Sequence, residues 1–170
     1  DRVVGVKPIS GFRLTFAPSS RLGRDEFLAR VQEYQDIDVD NLAGKKLNMG
    51  LSLTGQYRLR FPEAIKPVEQ GLLQLREKAV ADIQDLNLKV EQLSQARGIR
   101  ERDELGAQIT NLLDKYTGKW AETEYLEKIA SVRTRLAQLI DQERDRKTEI
   151  KAQDLLRQAV QAMKQDVTLE

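Results

Sequence analysis

Residues 68–93 read VEQGLLQLREKAVADIQDLNLKVEQL, and within them Val68, Leu72, Leu75, Ala79, Ile83, Leu86, Val90 and Leu93 step by three or four positions throughout. That spacing places all eight on one face of an α-helix and is the seam of a coiled coil. The consecutive fours through Ala79 and Ile83 resemble a stutter, which locally unwinds a left-handed supercoil. Leu105, Ile109, Leu112 and Tyr116 continue the pattern, followed by Tyr125, Ile129, Val132, Leu136 and Leu139. Leu156, Val160 and Met163 resume it near the end.

Upstream of this seam the composition changes. All four prolines (Pro8, Pro18, Pro62 and Pro67) and six of the ten glycines precede residue 70. Proline and glycine punctuate turns and strands, whereas long helices exclude them. The fold expected is therefore mainly α: a small α/β head over 1–67, then a helical arm over 68–170 forming a long antiparallel hairpin or coiled coil. In the head, Phe12, Leu14 and Phe16 alternate with Arg13 and Thr15, which predicts a strand over 11–17. Asp25 and Glu26 suit a helix's first turn, with Phe27, Leu28, Val31 and Tyr34 on one stripe. From Leu47 to Phe61 the odd positions are apolar except Gly55, and the even positions are polar or glycine. Such alternation predicts a long half-buried strand or a β-hairpin turning at Thr54-Gly55-Gln56.

Arm lengths favour two helices over three. Residues 69–117 number forty-nine and residues 120–165 number forty-six, so two arms folding near 117–120 would match at roughly 70 Å each. A break at Gly98, closed by a left-handed cap, is the alternative. In the two-arm register Leu105 faces Val132, but Leu86, Val90 and Leu93 would face the charged stretch between Arg144 and Lys151. Leu136, Leu139 and Ile140 would likewise face the polar run around Arg97, Arg100 and Arg102. These apolar residues are the expected interaction surface, covered by a second copy in a dimer unless residues 95–102 loop out and slide the arms into register.

Chemistry narrows the function. Lys and Arg number 28 against 27 Asp and Glu, so no long-range field draws the chain to a polyanion. With no histidine and no cysteine, zinc sites with nitrogen or sulfur ligands, thiol chemistry and His-based catalysis are excluded. Asp36, Asp38 and Asp40 open like an EF-hand loop, yet Leu47 stands where the closing bidentate Glu belongs. Gly44-Lys45-Lys46 lacks both the earlier glycine and the following hydroxyl of a phosphate loop. Neither metal nor cofactor is expected. Arg97, Arg100 and Arg102 form the densest basic cluster, but Glu101, Asp103 and Glu104 interleave with them. Nucleic acid is consequently a weaker candidate partner than protein.

Beyond residue 61 only Tyr116, Trp120 and Tyr125 are aromatic, all at the expected tip. They read either as partner anchors or as the plug that closes the hairpin's open end. Opposite charges such as Glu143 and Lys147 support an exposed helix between 141 and 151. The chain opens Asp1-Arg2-Val3 and contains no run of about 18 apolar residues. It reads as a soluble piece of something longer, with the cytoplasm as the expected compartment. The expected function is non-enzymatic: a coiled-coil module that oligomerises or docks parts of a larger assembly. The alternative is a nucleic-acid-associated arm of an ATP-driven machine.

Overall fold

A computed structural model describes residues 23–169. Five helices make up this region: α1 (residues 23–36), α2 (Ala43–Tyr57), α3 (Pro62–Gln95), α4 (Ile99–Lys119) and α5 (Tyr125–Leu169). The protein is mainly α. The strand expected over 11–17 lies outside the described residues.

Where a strand or hairpin was expected over 47–61, the chain is helical to Tyr57 and then turns over 58–61. Ala43, Leu47, Gly50, Leu53 and Tyr57 are buried, at successive steps of four, three, three and four residues. Leu47, Leu53 and Tyr57 satisfy both a period of two and a helical period, so their odd numbering concealed the helix. The rest of the apparent alternation decides the matter: Leu51 is exposed, and Leu59, at 98%, lies wholly in solvent. A half-buried strand would have hidden them.

Two compact units divide the chain. The first comprises the described residues up to Asp82 together with Asp114–Leu126, and the second Ile83–Leu113 together with residues from Glu127 onward. Helices α3, α4 and α5 each contribute to both.

In the first unit, α1 and α2 pack on the opening of α3. Phe27 stacks on Phe61 with ring centroids 4.8 Å apart and lies tilted against Tyr57 at the same distance. Around these rings Tyr34, Leu53, Ile65 and Val68 complete the core. Tyr34 enters a slot made by absent side chains: a Cβ at Gly50 would meet its ring, and one at Gly71 would meet its hydroxyl. Burial pushes the Tyr34 phenol above its ordinary pKa. Between α1 and α2, Asp38 shapes the turn, accepting from the backbone N–H of Asp40 at 2.9 Å and from Asn41 Nδ2 at 2.6 Å. These two donors, Asn41 foremost, hold the Asp38 carboxyl below the usual carboxylate range. Pro62 opens α3, where its missing N–H is harmless, and the helix continues through Pro67.

In the second unit the long first arm proves to be two helices. Leu93 and Gly106 line the same cleft, although an unbroken helix would hold them about 20 Å apart. The chain therefore reverses between Gln95 and Ile99, where Ala96 donates to the carbonyls of Gln92 and Leu93. Gly98 does not take the left-handed cap anticipated there, since no glycine among the described residues has positive φ. Helix α5 runs parallel to this part of α3: Glu91 meets Arg135, and Leu93 and Ser94 share a cleft with Leu139, Ile140 and Gln142.

Candidate functional site

The reversal at residues 96–98 changes the partners of the expected seam residues Leu86, Val90, Leu93, Leu136, Leu139 and Ile140. Leu86 and Val90 are fully buried and Leu136 is nearly so, all within one chain. Their apolar stripes find intramolecular partners, which removes the original reason for covering them with a second copy. Leu93 and Leu139 are half-buried, and Ile140 is 48% exposed.

These last three residues converge. Together with Ile99, itself 66% exposed, they form the apolar lining of an open cleft of about 680 Å³ in the second unit. Arg102, Arg144, Arg146 and Lys147 line it as well, against Asp103 and Glu143. Arg102 is committed to structure: Nη1 lies 2.5 Å from Glu143, and Nε donates to the carbonyl of Ala96 at 2.5 Å. One guanidinium thus ties α4 to α5 while satisfying the end of α3, a task suited to its fixed fork of donors. Glu143, expected to support its own helix through Lys147, is engaged by this contact. Sequence reading missed Ile99, because it stands alone between Gly98 and a polar run, and only the reversal brings it beside Leu139 and Ile140.

The three arginines expected as a basic cluster differ in their engagement. Arg102 points into the packing, Arg100 makes a loose contact with Glu104 at 3.7 Å, and Arg97 is exposed.

The tip aromatics are core. Trp120 is fully buried, and Tyr116 and Tyr125 nearly so. Trp120 meets Tyr125 edge to face with centroids 5.6 Å apart, and its Nε1 donates to Asp82 at 2.9 Å. Lys119 also reaches Asp82, at 2.8 Å, with its ammonium over the rings of Tyr116 and Trp120. The turn at residues 120–124 is docked on α2, whose Asn48 donates to the carbonyl of Glu122 at 2.9 Å. These side chains close the first unit and are not available as anchors for a partner. Burial, then Glu124, raises the Tyr125 pKa.

From Arg144 to Thr168 every residue of α5 is exposed. Within that stretch Ile150, Leu155, Leu156, Val160, Met163 and Val167 offer large apolar side chains to solvent. Among the described residues no cluster of three or more potential metal ligands occurs, and no helix is long and apolar enough to cross a membrane. The arrangement therefore offers packing surface: an apolar cleft with a charged rim, followed by a long exposed helix. Comparison with protein-family models, curated proteins and solved structures found no match to this chain.

Proposed function

We propose that the chain is a non-enzymatic interaction module, a helical arm through which parts of a larger protein assembly dock or oligomerise. The observation that carries this reading is the cleft where Leu93, Ile99, Leu139 and Ile140 come together, two of them substantially exposed. Burying such a cluster against a partner would contribute roughly 25 cal/mol per Å² of apolar area removed from water, with the charged rim selecting orientation. Within the cleft Arg102 and Glu143 neutralise each other, and neither histidine nor cysteine is present to act as base or nucleophile.

Site-specific photo-cross-linking from position 140, in cells producing the protein, tests the reading. A defined protein should be captured from position 140 and not from Gln138, which lies on the other side of α5. Cross-links to nucleic acid, or none from position 140 while the protein is assembled and active, would contradict it. The second reading, a nucleic-acid-associated arm, draws on exposed Arg144, Arg146 and Lys147. It requires salt-dependent binding of DNA or RNA by the isolated chain.

A further inference from the structure

The exposed end of α5 carries a second surface, separate in sequence from the cleft residues. Leu156, Val160, Met163 and Val167 follow one another at steps of four, three and four, the spacing of two heptads of coiled-coil seam. All four are between 46% and 74% exposed. One edge of this stripe is basic, with Arg157 and Lys164 seven residues apart; the other carries Ala152, Ala159 and Asp166. We propose that this stripe binds an amphipathic helix of another protein, one with apolar seam residues and acidic residues facing Arg157 and Lys164. The inference rests on the reading of the chain as an interaction module and names the chemistry of one partner.

Charge decides among the possible occupants. In an antiparallel pair of identical α5 helices the equivalent edges face each other, so Arg157 of one copy approaches Lys164 of the other. A parallel pair sets Arg157 and Lys164 against Ala152 and Ala159 and gains no ion pair. Neither arrangement satisfies the basic edge. Nor do the chain's first 22 residues, in which Arg2, Lys7, Arg13 and Arg21 stand against Asp1 alone. A helix bearing Glu or Asp along the facing edge satisfies both cations, and the small Ala152 and Ala159 leave room for its backbone to approach.

The probe is a fluorescein-labelled peptide of three heptads with leucine at the seam and glutamate on both edges, used at nanomolar concentration beside a twin carrying lysine on the edges. Fluorescence anisotropy should show the glutamate peptide binding the full chain about ten-fold or more tightly than the lysine peptide. Arg157→Glu with Lys164→Glu should reverse that preference, and Leu156→Asp with Met163→Asp should abolish binding of both. These positions are exposed, so the variants should retain wild-type helicity, read by circular dichroism. Equal binding of both peptides, or binding of neither, overturns the inference. So does a dimer in sedimentation that Met163→Asp dissolves, which gives the stripe to a second copy, or DNA binding lost in Arg157→Glu with Lys164→Glu. Ile99→Glu with Ile140→Glu, which alters only the cleft, should leave peptide binding unchanged; a loss there would move the peptide to the cleft and overturn the stripe. Cross-linking from position 140 stands or falls independently of every one of these results.

Discussion

The indole Nε1 of Trp120 donates a 2.9 Å hydrogen bond to Asp82, joining the turn after α4 to the middle of α3. The same carboxylate oxygen takes Lys119 Nζ at 2.8 Å, with the two charged side chains only 17% and 11% exposed. Asp82→Ala leaves an indole donor and a largely buried ammonium without their acceptor. It should lower unfolding free energy by about 2–3 kcal/mol. Urea denaturation followed by fluorescence of Trp120, the only tryptophan, measures this. A change within about 0.5 kcal/mol would show that the joint contributes little.

Gly44 and Glu122 should respond to substitution with opposite sign. A Cβ at Gly44 would lie 2.5 Å from the carbonyl oxygen of Ala121 and 3.0 Å from the carbonyl carbon of Trp120. Both are backbone atoms and cannot rotate away, so Gly44→Ala should destabilise by about 1–3 kcal/mol. Glu122 has φ of 60°, the left-handed region that costs a side-chain-bearing residue about 1 kcal/mol. Glu122→Gly should therefore be neutral or stabilising. Thermal unfolding of the two variants is the check.

The pH dependence has an acidic and an alkaline limb. Asp38 has its folded pKa lowered by Asn41 and by the backbone of Asp40. Its contribution is present above the unfolded carboxylate value and is lost as pH falls through the folded one. Asn41→Ala should weaken this acid sensitivity. Tyr34 has its folded pKa raised by burial, so its contribution is present below the unfolded phenol value of about 10 and is lost as pH rises through the folded one. Tyr34→Phe should remove that alkaline loss. Chemical denaturation across pH tests both limbs.

Much of the architecture was legible in the spacing of single residues. Val68, Leu72, Leu75, Ala79, Ile83, Leu86 and Val90 are all buried on α3, as their steps of three and four require. The second turn lies at residues 120–124, close to the tip expected at 117–120. What failed had physical causes. Helix α2 was hidden because its buried side chains Ala43, Leu47, Leu53 and Tyr57 all fall at odd positions; burial of Gly50 and exposure of Leu51 and Leu59 separate the periods. The reversal at residues 96–98 falls at the break that Gly98 offered as the alternative, and it was set aside because the two arm lengths matched without it. Leu93, Leu139 and Ile140 were singled out by their spacing, but their meeting with Ile99 depends on that reversal. Asp82 gave no sign of its partners, because its contacts with Lys119 and Trp120 span 37 and 38 residues.

Hydrogen–deuterium exchange tests the interaction reading most directly, comparing the isolated chain with the same chain in whatever complex it co-purifies with from its native cells. The cleft is lined by Leu93, Ile99, Gly106, Leu139, Ile140 and Thr148, so added protection should concentrate in peptides spanning residues 93–106 and 139–148. Peptides of the closed first unit around Trp120 should be unchanged. Identical exchange of the cleft peptides in the two states, with that complex intact, would contradict a docking role for this surface.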